Sequence, residues 1–458
     1  MSLNVVQTEA SRLTQSELIH YLKSDVPFIQ QWAIHERIGI LIQDPAQFMR
    51  VYQAIQGAGH LPVVLDSKWT SEQLHEILAH YEVTQVIADK QIEDVHTVRL
   101  EQLNEAEGSE ELHELHMPPD GLLHIGFTSG TTGMPKAYYR NRHSWDVSYD
   151  ANDAILETKP SCIIAPGPLA HSLTLYAMMY AYHSELTCYM QMDYHPVQLL
   201  HQLQAQNGAA VFIVPSVLEQ LLQFDAKQLT EVSVTFLSSG AKLEPHTIQK
   251  FKQKLPNAQV IEFFGTSEAS FISYHHVTDY APKNVGKLFK GVKVILTDDS
   301  GKQLPDSKQV GQLHVQSEMV FSGYVGAESI SSRDTIATGD YARMTDDQEL
   351  ILEGRVNNKV IVGGMNVYPE EVERVITDTT PIQHVMVIGV PHYELGEVLI
   401  AYYQSETDLE IREVKQILRS HLERYKVPMR FIKVPEMLWT SSGKVARQQM
   451  IEKYGRQS

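Results

Sequence analysis

Along the first part of the chain, short apolar runs alternate with stretches of helical spacing. Residues 38–43 (IGILIQ) and 62–65 (PVVL) read as buried strands, and residues 45–57 between them carry helical periodicity. Residues 70–80 followed by TQVIA at 84–88 repeat the theme. The alternation resumes at 122–127 (LLHIGF) and continues through 211–215 (VFIVP), 234–238 (VTFLS) and 259–264 (QVIEFF). Strands that alternate with helices predict βαβ units, a largely parallel sheet and an α/β fold.

The pattern then changes twice. Residues 285–325 are short β-rich segments with turns at Asp299-Ser300-Gly301 and at Gly323, which predicts a small antiparallel β unit. From about residue 356, KVIVGG, a helix at 369–376, strands near 384–390 and 397–404, a helix at 410–424 and a final strand at 429–434 predict a compact α+β unit. Residues 163–182 contain no Asp, Glu, Lys or Arg and are long enough to span a bilayer. Pro166, Gly167, Pro168 and His171 break their first half, so a buried loop and helix is the reading adopted. The acidic run 101–116 reads as a solvated surface segment.

Length and charge narrow the function classes. At roughly 100–200 residues per domain, 458 residues imply at least two structural units. A net charge of −18 without a basic stripe argues against a nucleic-acid or anionic-membrane surface. The first residues lack a basic start followed by an apolar run, so no signal peptide is expected. Cys162 and Cys188 are the only cysteines and form no C-x-x-C spacing; they read as core residues of a cytoplasmic protein.

The strongest chemical signal is TSGTTGMPK at 128–136, directly after a predicted strand. Gly130 and Gly133 remove side chains that would block approach, Thr128, Ser129, Thr131 and Thr132 offer hydroxyls, and Lys136 adds a cation. Such a loop suits the β- and γ-phosphates of ATP. It is not a Walker A loop, because Ala137 follows Lys136. An ordinary Ser/Thr/Gly turn is the plain alternative.

This loop resembles the phosphate-binding signature of the ANL superfamily of adenylating enzymes, which includes acyl-CoA synthetases, nonribosomal peptide adenylation domains and luciferases. Further motifs follow in family order: PLAHS at 168–172, SSGAKL at 238–243, FFGTSE at 263–268, TGD at 338–340, GRVNNKVIVGGMNVYPEEVE at 354–373 and SSGKVAR at 441–447. The resemblance runs from about 38 to about 450 and is nearest in texture to compact bacterial acyl-CoA ligases.

The resemblance implies a large layered N-terminal domain, residues 1–354, with a β-rich subdomain, and a small mobile α+β domain, residues 355–458. It implies acyl-AMP and pyrophosphate formation from a carboxylic acid and ATP, followed by transfer to CoA. The implied adenine-side residues are Gly240, Ala241 and Phe264, the last in place of the family's Tyr. Gly265, Thr266 and Ser267 form the following turn, where Ser267 keeps a hydroxyl for the α-phosphate. Glu268 would hold Mg²⁺, a hard cation that prefers oxygen ligands. Asp340 and Arg355 would meet the ribose, and Lys444 the reacting carboxylate and phosphate oxygens. Taken singly, each of these has a plain alternative: loop Glu, turn Asp, surface Arg, solvated Lys.

His171 is either a gate to the acyl site or a structural histidine, and Gly364 either lines the thiol channel or simply makes a turn. Asn357 stands at the hinge, where Asp or Lys is common. His275-His276 has no carboxylate partner visible in sequence and reads as a strand-end or surface pair. Phe212, Val214 and Phe271 are apolar pocket candidates that favour a fatty or other lipophilic acid. A phosphopantetheinyl carrier protein is the alternative acceptor, a non-catalytic nucleotide-binding relative is the alternative from another class, and a homodimer is left open.

Overall fold

The computed structural model describes residues 3–32, 36–104, 121–128, 134–277, 284–405, 408–440 and 445–455. Three sheets organise the chain. A six-stranded sheet is built on Arg37–Leu41, Leu61–Val64, Gln85–Ala88, Thr97–Arg99 and Leu122–Thr128, all parallel, and closes with antiparallel Lys136–Asn141. The predicted runs at 38–43, 62–65, 84–88 and 122–127 are these strands. The helices Pro45–Gly57 and Ser71–His80 fill the intervals where helical spacing was read.

The second sheet has thirteen strands. Its centre is parallel, through Cys188–Met190, Ile163–Ala165, Ala210–Ile213, Thr235–Ser238 and Gln259–Thr266. Beyond Gln259–Thr266 every pairing on that side is antiparallel, from Ser270–His276 out to Lys293–Thr297. The β-rich region predicted at 285–325 is therefore not a separate sheet: its strands Asn284–Leu288, Lys293–Thr297 and Gly311–Gln316 continue the large one together with Ile336–Met344 and Glu349–Arg355. Local hairpin patterning cannot reveal that such strands find a ready-made sheet edge.

The apolar stretch 163–182 is a buried strand followed by the helix Ser172–His183, packed in the main core. Among the described residues no helix is long and apolar enough to cross a membrane. Cys162 and Cys188 are buried and unbridged, as read.

Of the helices of the large unit that the sequence analysis did not name, two carry clear capping signals. Gln15–Gln30 begins with a capping box, in which the Thr14 side chain accepts from Glu17 N and Glu17 reaches back to the Thr14 backbone. That T-x-x-E spacing was a usable signal. Buried Asp25 of this helix receives Arg50 Nε at 2.6 Å and Nη2 at 2.8 Å, which ties the front of the chain to the helix Pro45–Gly57. Arg142–Asp153 is the second; its cap is Asn141, which accepts from Ser144 N.

The chain leaves the large sheet at Arg355, makes a 3₁₀ turn over Val356–Asn358 and enters a five-stranded sheet with its own core. The predicted α+β composition holds. The helix expected at 410–424 ends at Arg419, with a 3₁₀ turn at Arg424–Lys426, and the strand Arg430–Lys433 is followed by one more helix, Arg447–Tyr454.

Candidate active site

Thr128 and Lys136 flank the predicted phosphate loop as opposite members of the antiparallel pair Leu122–Thr128 and Lys136–Asn141. Ser129, Gly130, Thr131, Thr132 and Gly133 lie outside the described residues, as does Lys444. What the structure places is the frame around them. Lys136 is exposed and its ammonium lies 5.5 Å from the centroid of the Tyr324 ring. The Tyr324 hydroxyl donates to Glu268 Oε1 at 2.6 Å. One aromatic side chain thus bridges the phosphate-loop lysine and the carboxylate assigned to the metal. Burial and the neighbouring Glu268 charge hold the Tyr324 hydroxyl well above its ordinary pKa, so it stays a donor.

Sequence reasoning missed Tyr324, although the turn at Gly323 beside it was noted. The segment is anchored by backbone bonds from Tyr139 N to Gly323 O (2.9 Å) and Val325 N to Ala137 O (3.0 Å). Gly323 has φ +108°, and a Cβ there would meet Glu328 O at 2.8 Å, so the turn depends on glycine.

The Glu268 turn is held from below. Gly265 sits at a bulge opposite Phe271, where an added Cβ would lie 2.1 Å from Ser270 O. Thr266 Oγ1 accepts from Ala269 N at 2.9 Å, which closes the turn. Buried Arg140 donates to Ser267 O, to Met319 O at 2.9 Å and to Ser144 Oγ at 3.3 Å. Its desolvation lowers its pKa, against the opposing pull of Tyr138 and Glu268. Tyr138, also buried, has its hydroxyl near Ser172 and Ser267, and Gly126 leaves the space that its ring occupies. Neither Arg140 nor Tyr138 carried a motif signal.

On the predicted ribose side, Asp340 and Arg355 are brought together by strand register, with Arg355 Nε 3.0 Å from Asp340 Oδ1. Asp340 is buried while Arg355 remains exposed. Gly240 takes φ +93° in the turn before Ala241, and Phe264 is half-buried against the main core. The next residue, Lys242, pins this loop by pairing with buried Glu262 and donating to Asn284 O at 2.8 Å. Glu262 also accepts from Leu243 N at 2.7 Å.

The same carboxylate corrects the reading of His275. Its Nε2 lies 3.4 Å from Glu262 Oε2, so the histidine has the partner that local sequence did not show. Burial, with Lys242 nearby, pushes the His275 pKa down to about 4, so the ring is neutral near pH 7. His276 is exposed.

His171 precedes the helix Ser172–His183 without a side-chain cap bond, and its half-buried ring has a pKa lowered by burial. Gly363 and Gly364 form the tip of the hairpin Val360–Val362 and Met365–Val367, with φ +57° and +83°. A Cβ on Gly364 would meet nothing within 4 Å. The turn reading of Gly364 therefore has a firm basis in backbone conformation.

The Mg²⁺ expectation can be tested on the donor set. Among the described residues no group of three or more His, Cys, Asp or Glu is placed to hold a metal ion. Glu268, a half-buried carboxylate aimed by one hydrogen bond, instead fits the mode in which Mg²⁺ takes one or two carboxylates and completes its shell with phosphate and water.

Comparison with known proteins shows the family and the fold. Residues 33–325 match the AMP-binding enzyme family and residues 371–444 the AMP-binding enzyme C-terminal domain. The "Putative long chain fatty acid-CoA ligase VraA" of Staphylococcus epidermidis is 37% identical over 447 residues, covering 97% of this chain and 94% of that protein. ATP-bound MatB from Rhodopseudomonas palustris superposes with a TM-score of 0.88 at 23% identity, over 99% and 96% of the two chains. MenE from Bacillus subtilis, in complex with the acyl-adenylate OSB-AMP, gives 0.85 at 20% identity, over 98% and 95%.

Proposed function

Because this chain belongs to the AMP-binding enzyme family, among the AMP-forming acyl-CoA ligases, we propose that it activates a lipophilic carboxylic acid as its acyl-AMP and then transfers the acyl group to CoA. The observation that carries the residue assignment is the Lys136–Tyr324–Glu268 bridge. It supports Lys136 as the cation and Glu268 as the metal-binding carboxylate of this reading.

In the first half-reaction the acid's carboxylate oxygen attacks the α-phosphorus. The bond to the bridging oxygen breaks, and pyrophosphate leaves. Lys136 and Lys444 offset negative charge, and Ser267 orients the α-phosphate beside the turn that Arg140 holds. Thr128, Ser129, Gly130, Thr131, Thr132 and Gly133 cradle the β- and γ-phosphates. A Mg²⁺ ion on Glu268 would neutralise charge on the phosphate oxygens. Asp340 and Arg355 hold the ribose, while Gly240, Ala241, Phe264, Gly265 and Thr266 border the adenine. In the second half-reaction the CoA sulfur attacks the acyl carbonyl and AMP departs.

We assign residues 1–354 to the large domain and 355–458 to a small domain that turns about Arg355–Asn357. The 3₁₀ turn between two separate sheets supports this hinge. Just past it, Lys359 donates to Asp299 Oδ2 at 2.7 Å and to the Tyr341 hydroxyl at 2.8 Å, a contact that any rotation must release. Gly364 then borders the thiol's approach, with His171 at the acyl side.

A pyrophosphate-release screen over fatty, aryl and amino acids, with and without CoA, tests the proposal. Fatty or aryl acids should be activated and CoA consumed. Activation of amino acids alone would reject the substrate class, and transfer to a phosphopantetheinyl carrier protein but not to CoA would reassign the acceptor.

A further inference from the structure

The helix Ser172–His183 starts at the proposed α-phosphate turn and runs inward. Ser172 and Ser267 both lie near the Tyr138 hydroxyl. Tyr176 and Tyr180 follow at intervals of four residues, on the same helix face and about 6 Å apart along the axis. Their rings stack with an interplanar angle of 3°. Tyr176 is buried, donates to Ser148 O at 3.0 Å, and touches Phe271 (5.1 Å between ring centroids) and Phe212 (5.9 Å). Phe271 is itself fixed, stacked on Phe289 at 5.0 Å and edge-on to Phe263 at 4.9 Å.

Phe212 and Phe271, expected from sequence to be pocket walls, are thus joined by Tyr176 into a filled aromatic core one turn beneath Ser172. At the far end of the same helix a cavity of about 450 Å³ mixes Leu156 and Pro160 with the polar Asp153, Lys159, His183 and Glu185.

We propose that Tyr176, with Phe212 and Phe271, closes the acyl site and restricts the substrate to a compact apolar acid of a few carbons or a single ring. A carboxylate placed beside Ser267 has about one helical turn of depth for its tail before it meets the Tyr176 ring. Tyr176 cannot swing aside without losing its bond to Ser148 O inside a packed core. This assignment rests on the ligase reading above and narrows its substrate.

The test is kcat/KM for pyrophosphate release with propionate, hexanoate, benzoate, decanoate and hexadecanoate, in the wild-type chain and in Tyr176→Leu and Phe212→Leu. The wild type should use propionate, hexanoate or benzoate and show little turnover of the two longer acids. Either substitution should raise the decanoate-to-hexanoate ratio by about tenfold or more, the scale on which apolar pockets discriminate length, with the KM for ATP unchanged. Preference of the wild type for hexadecanoate overturns the closure even if neither variant folds. So does a ratio unmoved in both folded variants. If no acid of any length releases pyrophosphate, the ligase reading falls and takes the closure with it, a result distinct from a long-chain preference.

Discussion

The nucleotide side of the large unit and the glycine hairpin of the small unit are built on opposite principles. Around Glu268 and Asp340, each group is placed by strand register and by side-chain partners: half-buried Tyr324 on Glu268, buried Arg140 beneath Ser267, exposed Arg355 across from Asp340. At Gly364, positive φ sets the backbone and open space surrounds the residue, while Ile361 and Met365 beside it are exposed. In the proposed reaction the first region would be preorganised for the charge that develops. The second presents a shape, and its role depends on what the small unit turns toward. Substitutions in the first should therefore damage adenylation, and substitutions in the second should damage thioester formation.

The largest expected effects break the first region. Lys136→Ala and Glu268→Gln should each slow acyl-AMP formation by about 10²–10³, the usual cost of one well-placed electrostatic contact. Pyrophosphate release across a Mg²⁺ titration measures this, and a near-wild-type Glu268→Gln would remove the metal assignment. Lys444→Ala should lose the same step yet still convert supplied acyl-AMP to thioester.

Gly364→Leu should show the converse, forming acyl-AMP while thioester yield from synthetic acyl-AMP drops roughly tenfold or more. The turn itself complicates this variant, because a left-handed conformation costs a side-chain-bearing residue about 1–2 kcal/mol. Gly364→Ala carries the backbone strain without the bulk and separates the two causes. If Ala retains thioester formation, the bulk of Leu is at fault, and if Ala fails as Leu does, the strained turn is; equal damage to both half-reactions in Lys444→Ala and Gly364→Leu would mean that the small unit serves both from one pose.

Tyr324→Phe sharpens the comparison further. It removes one hydrogen bond to a carboxylate and keeps the ring under Lys136, so the Mg²⁺ concentration for half-maximal rate should rise by roughly tenfold. An unchanged Mg²⁺ dependence with a lower Tm would reduce Tyr324 to a packing role.

The smallest effect lies between the regions. Partly buried Glu244 has a pKa raised to about 7 by burial, then by the negative charges of Asp378 in the small unit and Glu219. Its folded pKa lies above the ordinary glutamate value of 4.5, so folding takes up a proton between these values. The associated stability is complete below pH 4.5 and is lost as pH rises to about 7. Glu244→Gln should therefore leave Tm nearly unchanged at pH 4.5 and raise it by no more than roughly 1–3 °C at pH 8. A gain larger at low pH than at high pH would contradict this.

Much of this protein was legible in one dimension. The parallel strands, the helices between them, the buried run 163–182 and the ordered motifs all follow from short-range periodicity and from residues that must stand close in sequence to bind a phosphate. Strand pairing then brought Asp340 to Arg355 and Thr128 to Lys136, partners that motif spacing had already singled out.

Contacts across long stretches of chain were decided only by folding. Tyr324 reaches Glu268 over 56 residues and Arg140 reaches Ser267 over 127. Glu262 gathers Lys242 and His275 from neighbouring segments, and strands after residue 284 extend an existing sheet instead of forming their own. Tyr176, Phe212 and Phe271 show the reason most clearly. Sequence alone marks all three as apolar or aromatic, which is equally compatible with a pocket wall or a filled core. Whether the space between them is empty depends on side chains from separate elements meeting at ring-contact distance, and only the tertiary structure determines that.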